Sequence, residues 1–266
     1  MEIAGSRILL TGATGGLGRA IAKALHDKGA HLLLTGRKQD ALEALAVELG
    51  GTRAEPLAAD LADRDDVAAL PARAGQVDIL IHNAALPGSG RLETYTPEQI
   101  DRVLDVNLRA GIMLTHALLP GMLDRGRGHF VYVSSMSGKI PTIRASIYAA
   151  TKYGLRGFAG GLRDDLHDTP VGVSAVFPGP ITGAGMWAKA GVDLPRWIPK
   201  RSPEQVGAAV VKGIERDKPE LDVADPVQRS GAIMAALAPG FAARVRRMLP
   251  VEDLADRTAE AQRDQR

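Results

Sequence analysis

Arg7-Ile-Leu-Leu10 runs directly into Thr11-Gly-Ala-Thr-Gly-Gly-Leu-Gly18, and Ala20-Ile-Ala-Lys-Ala-Leu25 follows with apolar residues at helical spacing. Strand, glycine-rich turn and helix, in that order, are what a dinucleotide phosphate loop requires. Gly12 permits the tight turn, Gly16 lets the backbone approach a pyrophosphate, and Gly18 lets helix and strand pack closely. The backbone through Thr14, Gly16, Leu17 and Gly18 opens the helix, where unpaired amides and the positive dipole end face a phosphate. A plain glycine-rich loop in an α/β fold carries the same letters, so the surrounding sequence has to decide between them.

Outward from the loop, short aliphatic runs alternate with amphipathic stretches, the pattern of a parallel sheet covered on both faces. The runs predict strands over Arg7–Leu10, His31–Thr35, Ala54–Ala58, Ile79–His82, His129–Ser134, Val171–Phe177 and Glu220–Val223. Thr96-Pro-Glu-Gln99 and Ser202-Pro-Glu-Gln205 announce helix starts by capping boxes with proline at the first helical position. Asp63-Arg-Asp-Asp66 reads the same way, as a cap and not a metal site. Leu70 to Gln76 is expected to be a poor helix end and a loop. Gly183 to Arg201, rich in glycine and proline, resists regular assignment.

A chain of 266 residues can form one α/β domain with an ample core, and 45% apolar with 24% charged is a globular composition. The absence of cysteine excludes a disulfide scaffold and a thiolate nucleophile, and fits a reducing cytosol. A net charge of +2 with no basic-aromatic patch leaves no nucleic-acid footprint. Met1-Glu-Ile-Ala-Gly5 shows neither a basic leader nor a secretory apolar core, so a cytoplasmic location is expected.

Residues 1–228 are expected to form the catalytic domain and 229–266 a C-terminal helical extension. About fourteen uncharged residues separate Arg229 from Arg244, too few for a bilayer span of roughly 20. Phe241, Val245, Met248 and Leu249 fall on one helical face. That face suits an interfacial helix or, the favoured reading, a helix docked on its own domain or a partner subunit. Glu252 to Arg266 is charged and expected to fray.

The chemistry centres on Tyr148 and Lys152, four apart, with Ser135 thirteen residues before the tyrosine. A helix places i and i+4 on one face, so an ammonium can sit beside a phenol and favour the phenolate. Bringing a tyrosine from about 10 toward 7 needs roughly 4 kcal/mol of differential stabilisation, of which one cation supplies part. No His-Glu-x-x-His spacing and no serine-histidine-acid arrangement competes.

In chain order, Thr11 to Gly18, Asp60-Leu61, Asn83-Ala84-Ala85, Asn107, Ser135, Tyr148 with Lys152, and Pro178-Gly179 resemble the motifs of the short-chain dehydrogenase/reductase family. The likeness runs from about Arg7 to Thr182. Gly15 also lets the loop match a longer, epimerase-like spacing; chain length and the Ser135–Tyr148 interval decide for the simple single-domain branch. The resemblance implies a Rossmann-type doubly wound parallel sheet in a single domain, carrying an NAD(P)-dependent oxidoreductase that interconverts a secondary alcohol and a ketone. It implies that Ser135 and Tyr148 converge on the reacting oxygen, that Tyr148 gives or takes the proton, and that Lys152 grips the nicotinamide ribose.

By the same resemblance Asn107 holds a water in the proton relay; its other reading is an asparagine bonding backbone. Asp60 and Leu61 would meet the adenine, Asn83 and Ala84 the ribose, and Pro178, Gly179 and Ile181 the carboxamide. The chain departs from the family pattern at His82 and Ala85, where Asn and Gly are usual, and at Gly183, with Thr182 one place before a common threonine. The stretch 183–201 matches the family's substrate cover. Its Met186, Trp187, Val192, Leu194 and Trp197 imply a hydrophobic small-molecule substrate. Members usually form homodimers or homotetramers through two long helices, here about Pro97 to Leu119 and Tyr148 to His167.

Cofactor choice turns on the end of the second strand, where an acid suits NAD and an arginine suits a 2′-phosphate. Leu34-Thr-Gly-Arg-Lys38 has no acid and two cations, so NADP(H) is favoured over NAD(H), with Arg37 on the phosphate. Two other classes compete: a non-catalytic dinucleotide-sensing protein, against which the Tyr–Lys pair counts, and a membrane-surface-associated lipid-modifying reductase organised by the basic C-terminal stretch.

Overall fold

Along the first strand Ile8 and Leu10 enter one core and Leu9 another, the alternation of a strand buried on both faces. The computed structural model describes residues 1–183, 199–248 and 252–263. Its strands are β1 (Arg7–Thr11), β2 (His31–Gly36), β3 (Ala54–Ala58), β4 (Ile79–His82), β5 (Gly128–Val133), β6 (Val171–Pro178) and β7 (Glu220–Val223). They pair in parallel in the order β3-β2-β1-β4-β5-β6-β7, a single Rossmann-type sheet. Each expected strand is present to within one residue at its ends. β5 stops at Val133, so Ser134 and Ser135 stand just past the sheet.

Helices α1 (Gly16–Asp27), α2 (Gln39–Glu48) and α7 (Pro203–Arg216) cover one face through Ile21, Leu25, Leu42, Leu45, Val206, Val210 and Ile214. On the other face α3 (Arg64–Ala74), α5 (Ala110–Asp124) and α6 (Ser146–Asp165) bury Val67, Leu70, Leu114 and Leu155. Each such aliphatic side chain stabilises the layer by about 1.5–3 kcal/mol. The chain winds outward from β1 in one direction and from β4 in the other. Their C-terminal ends therefore part and leave a crevice, where ligands bind in sheets of this topology.

Both capping boxes form: Thr96 with Gln99 opens α4 (Pro97–Leu104), and Ser202 with Gln205 opens α7. Asp63 caps α3 by accepting from the amides of Asp65 and Asp66. The expected loop over Leu70 to Gln76 is corrected, because α3 continues through Pro71 to Ala74. Proline inside a helix costs about 3 kcal/mol, but Leu70 and Ala74 are buried on the turn around it. Core burial therefore outweighs the missing amide, and the helix ends at Gly75 with φ 65°.

The C-terminal stretch also differs from expectation. It forms α8 (Pro226–Leu237), α9 (Pro239–Arg247) and α10 (Glu252–Ala261), and the expected boundary after residue 228 falls inside α8. A restart at Pro239 sets the face of α9: Phe241 and Met248 point outward, whereas Val245 turns toward the interior cavity. Leu249 lies outside the described residues. The expected fraying after Glu252 gives way to helix because Ala255, Thr258 and Ala259 are buried together. Arg144 Nε holds Asp256 Oδ1 of that helix at 2.6 Å. Among the described residues no helix is long and apolar enough to cross a membrane. The expected cover lies mostly outside the described residues, but its ends are tied: Ile181 bridges Arg201, and Arg201 donates its amide to Pro180 O at 2.8 Å.

The tightest joint of the fold is at Gly18, where an added Cβ would overlap Gly12 O and stand 2.7 Å from Ala13 O. Both neighbours are backbone, so neither can swing away. Gly18→Ala is expected to destabilise the protein by about 1–3 kcal/mol through overpacking, read as a lower urea midpoint. Gly240→Ala, which meets open space on helix α9, is expected to raise it by up to about 1 kcal/mol. An unchanged midpoint for Gly18→Ala would mean that α1 can retreat from the loop.

Candidate active site

The β1 loop is braced before it binds anything. Thr11 Oγ1 accepts from the amides of Asn83 and Ala84 at 3.0 and 3.1 Å. Asn83 Nδ2 returns bonds to Thr11 O and Gly12 O at 3.0 and 3.1 Å. Gly12 needs its φ of 66° and its missing Cβ, since Ala84 Cα would stand 2.8 Å from one. Ala85 keeps an ordinary negative φ, so the glycine usual at that position is not required by this turn.

A cavity of about 990 Å³ runs along the strand ends. Gly12, Thr14, Gly16, Leu17, Gly18, Arg37, Asp60, Leu61, Asn83 and Ala84 line one end; Ser135, Tyr148, Lys152, Pro178, Gly179 and Ile181 line the other. Every expected site residue except Asn107 reaches this one space. Arg37 is exposed at the rim, and Asp60 is paired with Arg102 at 3.7 Å. Lys38 is not among the lining residues. Buried Thr35 Oγ1 has no hydrogen-bond partner among the described residues and also lines the space. An elongated cleft with a glycine cradle at one end fits a dinucleotide.

Asn107 sits fully buried behind the wall, in a π turn (Asp105–Arg109) between α4 and α5. Its Oδ1 accepts from Leu86 N at 2.6 Å, and its Nδ2 donates to Leu86 O at 2.9 Å. The side chain thus clamps the backbone of the β4 loop, while its carbonyl meets His82 Nε2 at 3.4 Å. His82 is fully buried against Gly111, where a Cβ would stand 2.7 Å from the ring. Burial, with the Lys152 charge adding, lowers His82 to about 4, so the ring is neutral and structural.

Ser135, Tyr148 and Lys152 are set by the join between β5 and α6. Ser135 caps a short 3₁₀ turn (Met136–Gly138) by accepting from Ser137 N at 3.1 Å. Gly138 lets that turn touch α6, since its Cβ would lie 2.6 Å from Lys152 O. Ser134 Oγ donates to the same oxygen at 2.9 Å. Lys152 Nζ donates to Val133 O at 3.0 Å and stands 5.5 Å from the centre of the Tyr148 ring. Burial lowers Lys152 to about 7. Burial also raises the Tyr148 phenol, and the Ser135 hydrogen bond opposes it without winning. The expected lowering of Tyr148 by Lys152 is therefore not a property of the protein alone: desolvation dominates for both groups.

These features accompany a clear kinship. A family profile described as short chain dehydrogenase matches residues 6–194. The chain belongs to the short-chain dehydrogenase/reductase family. This reductase-family chain is 33% identical over 269 residues to the ketoacyl reductase HetN of Nostoc sp., covering 97% of this chain and 94% of that one. It is 37% identical over 183 residues to the NADP-dependent 3-hydroxy acid dehydrogenase YdfG of Salmonella typhi, covering 66% and 73%. The short-chain dehydrogenase of Sphingobium yanoikuyae in complex with NADPH superposes with a TM-score of 0.78 at 28% identity, covering 93% and 99%.

Three features of this family member had no sequence signal. The C-terminal helices wall the cavity through Gln228, Met234, Ala242, Val245, Arg246 and Gln262. Lys139 donates to Glu220 and Asp222 at 2.7 and 2.6 Å over the Phe177 ring, pinning the Ser135 turn to β7. His129 Nε2 meets Ser174 Oγ at 2.9 Å, both buried in the sheet, with the exposed Asp217 nearby and paired to Arg163; His129, Ser174 and Asp217 do not line the cavity. Only tertiary contact creates these.

The buried bases give a pH dependence with a definite sign. A base depressed in the folded state binds fewer protons than in the unfolded chain, so stability rises with pH between the two values. For His82 and His129, both at about 4, that window is about 4 to 6.5. For Lys152 it opens at about 7 and closes near about 10, where the raised Tyr148 begins to act the other way. The ligand-free urea midpoint should therefore climb between pH 7.5 and 9.5, with a slope of at most about 1.4 kcal/mol per pH unit. Lys152→Met should flatten it. An equal slope in that variant would place the titrating group elsewhere.

Proposed function

We propose that this protein is an NADP(H)-dependent oxidoreductase that interconverts a secondary alcohol and a ketone, with Tyr148 as the acid/base. The observation that carries the reading is one cavity lined both by the glycine loop with Arg37 and by Ser135, Tyr148 and Lys152. Bound nicotinamide would supply or take the hydride. The glycine loop would hold the pyrophosphate, Arg37 the 2′-phosphate, and the backbone at Pro178, Gly179 and Ile181 the carboxamide.

Ser135 and Tyr148 hold the reacting oxygen between two hydroxyls. Tyr148, kept protonated at neutral pH by burial, is set to donate to that oxygen. Lys152, at about 7, passes between charged and neutral forms near working pH, and its charge favours the phenolate once the proton has left. Asn107 positions this machinery by fixing the β4 loop at Leu86. The NADPH complex of the Sphingobium protein and the NADP dependence of YdfG support NADP(H). In the same reading the protein is a cytoplasmic homodimer or homotetramer, with Gly157, Gly160 and Gly161 leaving room for a partner along α6.

Tyr148→Phe keeps the ring's packing and deletes its proton. It should abolish turnover, in a carbonyl and alcohol panel followed at the nicotinamide absorbance, while cofactor affinity stays within a few-fold. Activity above about a tenth of wild type would remove Tyr148 as the acid/base, since such a proton relay is worth roughly 10²–10⁴-fold. Arg37→Ala should weaken NADPH roughly ten- to hundredfold and NADH far less, the range for a charged hydrogen bond. Gly36→Asp should push preference further toward NADH, because position 36 has room for a side chain at 3.6 Å from its neighbours. Equal losses of both cofactors in Arg37→Ala would make Arg37 a support of the turn.

A further inference from the structure

Beyond the residues given above to the dinucleotide, the cavity continues to a wall built by the C-terminal helices. Met234 of α8 and Ala242 and Val245 of α9 make that wall apolar. Arg246 enters it on the same helix face, since positions 242, 245 and 246 stand at i, i+3 and i+4. Arg244 and Arg247 are exposed on the opposite side.

Arg246 differs from the other charges lining this space. Asp60 and Arg102 pair with each other at 3.7 Å. Asp225 commits Oδ1 to capping α8, accepting from Val227 N at 2.8 Å and Gln228 N at 3.2 Å, while its buried Oδ2 has no hydrogen-bond partner among the described residues. Lys152 is bound to Val133 O. Arg37 stands beside the glycine loop and is assigned above to the dinucleotide. Arg246 is half-buried and has no acidic side chain within 4.0 Å among the described residues. Its charge is felt at Tyr153, on the helix that carries Tyr148 and Lys152. A guanidinium stays ionised at any working pH, and an apolar wall weakens the screening of its attraction for an anion.

We propose that Arg246 binds an oxyanion, carboxylate or phosphate, carried by the apolar substrate, so that the site selects anionic carbonyl compounds over neutral ones of the same length. This deepens the oxidoreductase reading and rests on it for the word substrate, whereas anion binding at Arg246 can be measured without turnover.

The test is calorimetric titration of the full chain with octanoate, octyl phosphate and octanol, with turnover of a keto acid and its methyl ester alongside. One of the two anions should bind wild type roughly ten- to hundredfold more tightly than octanol, the range expected for a charged hydrogen bond. Whichever anion binds more tightly identifies the group. Arg246→Ala and Arg246→Gln should both collapse that ratio toward one and lower kcat/KM for the keto acid more than for the ester. Arg244→Ala should preserve the ratio. Octanol binding as tightly as both anions in wild type would overturn the proposal, as would an anion preference that survives in both Arg246 variants. No turnover of any carbonyl with either cofactor, beside Arg246-dependent anion binding, would sink the oxidoreductase reading and leave the anion site standing.

Discussion

The fastening of α6 to the end of β5 is the constraint on which the site depends. Lys152 Nζ reaches Val133 O, Ser134 Oγ reaches Lys152 O, and Gly138 lets the turn after Ser135 sit against the same residue. One strand end therefore positions Ser135, Tyr148 and Lys152 together, although they are spread over eighteen residues of chain (152 − 134). The Lys139 cluster holds the other side of the same turn. Through Glu220, shared with Arg156 of α6 at 2.7 Å, it closes a ring of charges around the Phe177 ring. Of these charges only Lys139 is buried, and an arrangement that left its ammonium unmatched would be penalised. Here that penalty falls on movement of the Ser135 turn.

Burying an ammonium to make that joint has an electrostatic consequence. Desolvation that brings Lys152 to about 7 also raises Tyr148, so the pair rests close to neutral instead of as phenolate and ammonium. Reading only the i,i+4 spacing gives the opposite sign, because spacing reports proximity and not dielectric. Proximity would win in water-like surroundings. In a wall lined by Val133 and Met136, solvation is the larger effect.

The same distinction explains how far the sequence could be read. Strand runs, glycine loop, capping boxes and the Ser–Tyr–Lys interval are local patterns, and local patterns survive in one dimension. The stretch from Leu70 to Gln76 misled because propensity is local while the burial of Leu70 and Ala74 is not. Residues 252 to 261 misled for the same reason: their charges are visible in the chain, but the small buried face of Ala255, Thr258 and Ala259 has meaning only against the body it packs on. Asn107 stands out in the sequence, but its place behind the cavity wall and its bonds to the Leu86 backbone depend on the π turn that aims it.

Two cations from distant parts of the chain line the cavity, Arg37 beside the glycine loop and Arg246 on α9, together with the titratable Tyr148 and Lys152. The fold positions the last two through β5 and α6, which belong to the part matched by the family profile. Arg246 comes from helices beyond that matched region, attached to the body by contacts such as Arg144–Asp256. Arg144 precedes α6 in a left-handed conformation, φ 56°, and its carbonyl accepts from Gly90 N at 2.6 Å. The residue that anchors the C-terminal helices is thus also part of the loop that launches the Tyr148 helix.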